Sequence, residues 1–370
     1  MDQSRQGPQH SFAGTTREPG TTPIRVGAFR SFELHPRGPV DVSEAGPLLA
    51  VSTARNERAT FKLVNGELRL TDFRADAAEG ARLACAAFEY LFATKRELVS
   101  VTLAGDGWQV LLPTLRSKGL LVESADAHTQ PSVFAEMFWQ TPEIWMASSS
   151  FAYPRRDVFD GKSEHPLRPP KPTECLYARF IPWLSGTLSF HAASLDDLPD
   201  VHRWMNDPRV DEFWNEAGSE AAHKRYLERM LADPHVIPLI GRFNEQAFSY
   251  FEIYWAKEDL IGPFCGAGDY DRGCHVIVGE GAFRGKPWFT AWLPSLLHLM
   301  FLDDPRTERI VQEPSAAHHR QLCNLQRSGF AHMRSVDLPT KRAAIMSISR
   351  QRFFSNRLWH PGVVADEASL

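Results

Sequence analysis

The stretch YDRGCHVIVGEGAFRGKPWFTAWLPSLLHLMFLD, residues 270–303, constrains the fold more than any other part of the chain. Its second half, 287–303, is apolar on nearly every side, so a helix there must be buried all round. Pro294 within it predicts a kink. The first half is a short apolar strand, Val276-Ile277-Val278, preceded by His275 and ended by a turn carrying Gly281, Arg284, Gly285 and Lys286. Amides at a helix N-terminus bind anions, helped by the helix dipole. Glycines let the backbone come close, and Pro287 suits a first helical turn because it has no N–H to leave unpaired. GEGAFRGKPW is therefore a candidate pyrophosphate cradle, although many such turns carry Gly and Lys without a ligand.

Elements on either side predict a mixed sheet. TLSFHAAS (187–194) reads as a strand. Ser194 and Asp197 form a capping box for a helix with Leu195, Leu198, Val201 and Met205 on one face, stopped at Asn206-Asp207-Pro208. A helix follows over 221–233. Strands at 235–243 and 248–256 are joined by a turn at Asn244-Glu245, and 307–313, 318–330 and 343–354 read as strand, helix and last strand. Strands alternating with helices after an antiparallel meander give an α+β domain over 187–360. Upstream, 23–150 reads as a smaller α/β unit: a hairpin at 61–70 around Asn65-Gly66, a helix at 79–93, a strand at 97–105 and an aromatic-rich helical piece at 132–146. Between them, 151–186 is a Pro-rich linker expected to lie across the surface of the second domain, and 1–22 is expected to be a disordered polar tail.

Composition excludes several function classes. The net charge of -4 gives no basis for nucleic-acid or anionic-membrane binding, and no apolar run is long enough to span a bilayer. The N-terminus has no apolar signal region, which predicts a cytoplasmic protein. The five scattered cysteines (Cys85, Cys175, Cys265, Cys274, Cys323) form no CxxC pair, and the adjacent His318 and His319 point apart on a helix, so no metal site is expected.

The order of elements around the basic turn resembles the GNAT acyltransferase superfamily. RWMNDPRVDEFW (203–214), PLIGRF (238–243), SYFEIYWAKEDLIG (249–262), YDRGCHVIVGE (270–280), FLDDPRTERIVQEP (301–314) and LPTKRA (338–343) resemble its siderophore-biosynthesis branch. That branch includes the aerobactin-type hydroxylysine acetyltransferases and the hydroxyornithine acyltransferases. FWQTPEIW (138–145) suggests that the upstream unit belongs to the same pattern, as a degenerate GNAT-like half without coenzyme A.

The resemblance implies acyl transfer, most simply from acetyl-CoA, to the hydroxylamino nitrogen of N5-hydroxyornithine or N6-hydroxylysine, with a slight preference for the former. The product is a hydroxamate. A hydroxylamine is mostly neutral at pH 7, so the enzyme must position it, take a proton and stabilise an oxyanion. By the family pattern, His275 and Glu313 do the proton work. Val278, Gly279, Arg284, Gly285, Lys286, Pro287, Trp288 and His318 contact coenzyme A, His318 standing near a position often held by asparagine. Trp204, Trp214, Tyr254 and Trp255 are candidate walls of the acceptor pocket, and Glu252 and Arg272 candidate grips for its charged ends. On residues alone, His275 reads more readily as a core histidine hydrogen-bonded to backbone, and Glu313 as the N-cap of a helix after Pro314. The tyrosine that protonates the leaving thiolate in many GNAT enzymes has no holder, since Leu325 stands near its place. A larger acyl-CoA, or a silent scaffold for a siderophore synthetase, are the rival readings. Oligomeric state is left open.

Overall fold

The computed structural model describes residues 29–126, 129–148, 152–339 and 341–360; the tail expected over 1–22 lies outside them. A seven-stranded sheet comes first: β1 (Phe29–Ser31), β2 (Val40–Ala45), β3 (Leu48–Thr53), β4 (Arg58–Val64), β5 (Glu67–Arg74), β6 (Ser100–Leu103) and β7 (Ser132–Phe134), paired in chain order. Helix α1 (Ala77–Thr94) links β5 to β6, with short helices α2 (Leu112–Ser117) and α3 (Ala135–Phe138) after it. The β4–β5 hairpin turns at Asn65 and Gly66, with φ of 52° and 81°, the left-handed pair that such a turn requires. The helical piece expected at 132–146 is instead β7, α3 and one 3-10 turn at Pro142–Ile144.

A two-stranded hairpin, β8 (Asp157–Phe159) and β9 (Glu164–Pro166), leads to the eight-stranded second sheet. Its members are β10 (Cys175–Ile181), β11 (Gly186–Ala192), β12 (Val236–Phe243), β13 (Gln246–Trp255), β14 (Arg272–Val278), β15 (Arg309–Gln312), β16 (Ala331–Asp337) and β17 (Arg342–Ser349), in the order 10-11-12-13-14-15-17-16. Helices α4 (Leu198–Met205), α5 (Pro208–Trp214), α6 (Glu220–Ala232) and the single turn α7 (Gly262–Cys265) come from the segments before β14. Helices α8 (Lys286–Asp303), α9 (His319–Arg327) and α10 (Arg350–Ser355) come after it.

Two further expectations are corrected, and one strand is new. Residues 175–181, placed in the linker, form β10: the run CLYARFI is buried along nearly its whole length, and the surrounding prolines hid it. The expected last strand at 343–354 ends at Ser349, whose side chain accepts from the Arg352 N–H and starts α10. β16 has no counterpart in the sequence reading, because its residues are almost all exposed and carry no apolar alternation.

The two sheets follow one plan. In each, an antiparallel meander runs into a helix of 18 residues and then into a parallel strand, through α1 in the first and α8 in the second. They also share one continuous core. The Phe29 and Phe180 rings meet edge to face at 5.1 Å, and Trp139 stacks on Trp359 at 4.8 Å. His298, buried on α8, donates from Nε2 to the Trp139 carbonyl at 2.6 Å and accepts at Nδ1 from the Tyr177 hydroxyl at 2.9 Å. Burial holds its pKa down to about 3, so the ring stays neutral. Among the described residues, no helix is long and apolar enough to cross a membrane.

Candidate active site

The site begins where two strands part. β14 and β15 run parallel but pair only at Arg272↔Ile310 and Gly273↔Val311. Beyond that point β14 has β13 on one side and a gap on the other. The Gly279 N–H returns to the Phe248 carbonyl at 3.0 Å, so the odd-numbered peptides of β14 face β13. The even-numbered ones face the gap, and two of their carbonyls accept from side chains. Trp214 Nε1 donates to the Val276 carbonyl at 3.2 Å, and Arg284 donates to that of Val278 at 3.0 Å (Nε) and 2.6 Å (Nη2).

Pleating then decides which side chains share a face. Glu252 on β13 lies opposite His275 on β14. Tyr250 and Tyr254, two residues either way from Glu252, point to the same side. These residues form one hydrogen-bonded cluster. His275 Nδ1 is 3.0 Å from Glu252 Oε2, and Nε2 is 3.1 Å from Glu313 Oε1. Glu252 Oε1 accepts from the hydroxyls of Tyr226 (2.6 Å) and Tyr250 (2.9 Å), while Glu313 Oε2 accepts from Tyr254 at 3.0 Å. Lys341 Nζ stands 3.7 Å from Glu313 Oε1. Both carboxylates are buried, whereas the His275 side chain is 37% exposed and so reaches the surface beside the unpaired edge of β14. Trp214 stands edge-on 6.1 Å from the imidazole.

Burial alone would lower the imidazole pKa, but Glu313 and Glu252 outweigh it and hold His275 well above its ordinary value. Burial would likewise raise Glu313, yet His275, then Lys341 and Tyr254, bring it down to about 2. Glu252 also lies below the usual carboxylate range, with His275 and the two tyrosines overcoming its burial. All three shifts run the same way, each favouring the ionised form of its group.

The turn after β14 is pinned from beneath. A side chain at Gly279 would run into the Trp204 indole, and Trp204 Nε1 donates to Glu280 at 2.9 Å. Gly285 has a φ of 97° and starts α8 with no side-chain cap. Lys286 and Pro287 are exposed beside it. Trp288 is an anchor for the turn, its ring 4.8 Å from Phe243 and 4.5 Å from Phe283. The amides opening α8, with Lys286 beside them, form an uncapped positive helix end next to the gap. On the far side of the gap, His318 precedes α9 without a side-chain cap and stacks on Phe213 of α5 at 4.4 Å.

Three expected pocket residues lie elsewhere. Trp204 is fully buried as the pillar under Gly279. Trp255 pairs with Arg272 across β13 and β14, one pleat position out of step with Glu252 and His275, so both point through the opposite face of the sheet. There Trp255 is sandwiched between the guanidiniums of Arg168 (4.2 Å) and Arg272 (3.9 Å), and Arg272 pairs with Asp303 at 2.8 Å. Glu252 is in the site but saturated, so it grips no substrate end. The sequence reading missed Tyr226, Tyr250, Lys341 and Phe213. Tyr250-x-Glu252-x-Tyr254 was a period-two signal, whereas Tyr226 and Lys341 reach the site only through tertiary packing. Leu325 is a buried core residue.

A model of the acetyltransferase (GNAT) domain matches residues 194–338. The chain is 37% identical over 306 residues to a putative lysine N-acyltransferase of Schizosaccharomyces pombe, covering 82% of this chain and 88% of that one. It is 36% identical over 274 residues to an N(6)-hydroxylysine O-acetyltransferase of Escherichia coli, covering 73% and 84%. An N(5)-hydroxyornithine:cis-anhydromevalonyl coenzyme A-N(5)-transacylase of Beauveria bassiana is 43% identical over 198 residues, but these are 52% of this chain and only 44% of that protein. Shared sequence across most of both chains, together with the GNAT match over the strand, turn and helix that build the site, leads to one conclusion: the chain belongs to the GNAT acyltransferases, in the branch that acylates N-hydroxylated diamino acids for siderophore biosynthesis.

Proposed function

We propose that this protein transfers an acetyl group from acetyl-CoA to the hydroxylamino group of N6-hydroxylysine or N5-hydroxyornithine, producing a hydroxamate. The observation that carries the reading is the Glu252–His275–Glu313 cluster, set where β14 separates from β15, beside an uncapped, basic helix N-terminus. The pyrophosphate of acetyl-CoA sits against the amides that open α8 and against Lys286. Arg284 leaves the Val278 carbonyl to join it. The pantetheine arm runs along the free edge of β14, and the thioester carbonyl takes a peptide N–H from that edge as its oxyanion donor.

The acceptor enters over Trp214 and Tyr226 and presents its neutral N–OH group to Glu313. As nitrogen attacks, the C–N bond forms, the C–S bond breaks and the thiolate leaves with its electron pair. Glu313 takes the proton. A carboxylate of low basicity suffices, because the attacked nitrogen becomes strongly acidic once acylated. Hydroxylysine is favoured over hydroxyornithine, since the two relatives matched over most of their length carry lysine in their names. The first sheet takes no acyl-CoA: at the corresponding helix end, Asp76 caps α1 and Glu79 adds a second acid, where α8 has Gly285 and Lys286. With no membrane-spanning helix among the described residues, we place the protein in the cytoplasm, where acetyl-CoA is supplied.

Thiol release from acetyl-CoA, followed with N6-hydroxylysine, N5-hydroxyornithine, lysine and ornithine side by side, tests this. Turnover on a hydroxylated amine but not on its parent is expected. Equal turnover on lysine and hydroxylysine would reject it.

A further inference from the structure

A catalytic histidine that acts as a base needs one ring nitrogen held by a carboxylate and the other free for substrate. His275 has no free nitrogen. Its Nδ1 faces Glu252 and its Nε2 faces Glu313, at 3.0 and 3.1 Å. A neutral imidazole carries one N–H. In this geometry its other nitrogen would set a lone pair against a carboxylate oxygen at hydrogen-bond distance, an unfavourable contact between two acceptors. Both distances are short together when both nitrogens carry protons or when one glutamate does; the tyrosine donors on both acids and Lys341 beside Glu313 keep the glutamates ionised, which leaves the protons on the ring.

Glu252 makes this arrangement permanent. It is 3% exposed, and Tyr226 and Tyr250 donate to its Oε1, leaving Oε2 to His275. Three donors on one buried carboxylate keep it charged and fix its plane. Tyr226 comes from α6, Tyr250 from β13, so two elements hold the carboxylate behind the ring.

Resting on the functional reading above, we propose that Glu252 is a positioning residue that holds His275 as a donor at both nitrogens, so that the proton lost by the acceptor goes to Glu313 and never to His275. The groups facing the ring are consistent with this. Glu252, Tyr250 and Tyr254 face it from β13, Tyr226 from α6 with Arg229 over its ring at 5.0 Å, Glu313 from the end of β15, and Lys341 from the loop before β17. The positive groups lie beyond the carboxylates; the two acids contact the ring itself. Balance is kept: the acceptor N–H is replaced by N–acyl, its proton rests on Glu313 and then passes to water, and the C–S electron pair leaves with the thiolate.

Nitrogen NMR of the full chain, labelled with 15N-histidine, reads the state of His275 without any turnover, its signal assigned by the loss seen in His275→Asn. At pH 7.5 the wild type is expected to show both ring nitrogens protonated. In Glu252→Gln one nitrogen should lose its proton at a lower pH than in the wild type. A wild-type ring with a single proton at pH 7.5 overturns the proposal, and this reading requires no folded Glu252 variant. Kinetics supply a second readout. In Glu252→Gln the alkaline limb of kcat/KM for the hydroxylated amine should move to lower pH, with Glu252→Asp between it and wild type. A uniform drop with no shift would mean that Glu252 only supports the fold, and would also overturn the proposal. If no hydroxylated amine turns over in the wild type, the functional reading fails while the spectrum still decides the role of Glu252.

Discussion

Replacing Glu313 with Gln tests the cluster in two independent ways. The substitution keeps the shape of the side chain, and its carbonyl can still accept from His275, so the chain should fold. It removes the charge that balances His275 and Lys341, and with it the proton acceptor of the proposed reaction. A carboxylate held at about 2 against an ordinary 4.5 corresponds to about 3 kcal/mol of stabilisation of the charged form. Because the folded value is depressed, this stability is present in full above the unfolded pKa and is lost as pH falls from about 5 toward 2. Between pH 6 and pH 3 the wild type should therefore lose about 2 kcal/mol more than Glu313→Gln, read from urea midpoints at the two values. Activity gives the second reading. Loss of a positioned proton acceptor should lower kcat by about 10²–10⁴, while KM for acetyl-CoA stays within twofold, since the α8 amides are untouched. A kcat within twofold of wild type would refute the assignment of Glu313. Equal acid sensitivity in the two proteins would refute the electrostatic account of the pair.

Further expectations concern the turn, its pillar and the core. Arg284→Ala combined with Lys286→Ala should raise KM for acetyl-CoA several-fold and leave KM for the amine unchanged, because both cations stand at the α8 end of the gap; steady-state kinetics with each substrate varied will show it. Gly279→Ala places a methyl group inside the Trp204 indole and should cost about 1–3 kcal/mol in urea denaturation, with a matching loss of the Trp204 fluorescence environment. Glu89, buried between Ser31 and Trp145, has its pKa pushed up to about 7 chiefly by burial. An acid whose folded pKa is raised stabilises the fold least when ionised, so stability should fall as pH rises from about 5 to 7 and level off above. Glu89→Gln should flatten that slope, and thermal melts across the range will check it.

Parts of this structure were legible in the sequence for physical reasons. An all-round apolar run has only one place to go, and α8 is buried along most of its length as its composition demands. Asn65-Gly66 and Asn244-Glu245 occupy left-handed turns, as such pairs do at hairpins. His275 and Glu313 were placed by resemblance, and the structure brings them together. Other features depend on information that local pattern does not carry. Strand β16 is an exposed edge with no core face to write a periodicity, and without it the position of Lys341 over Glu313 was invisible. Trp255 and Arg272 stood beside the right residues in sequence and fell on the wrong face in space, because one step along a strand reverses the side chain. Strand β10 was masked by prolines around a run that the shared core buries on both faces. Sequence alone makes Glu252 a candidate grip for the acceptor's charged ends, since a lone acid between aromatic residues does not reveal that two tyrosines saturate it.

The central claim is that a hydroxylamino group, held against Glu313, receives the acyl group and becomes a hydroxamate. The most direct measurement incubates the protein with acetyl-CoA and an equimolar mixture of lysine and N6-hydroxylysine. Each product is then identified by fragmentation mass spectrometry and by its colour with iron(III). The account predicts one product, acetylated on the hydroxylamino nitrogen and coloured with iron. Acetyl groups on the α-amine or on lysine, or a product that gives no iron complex, would contradict it.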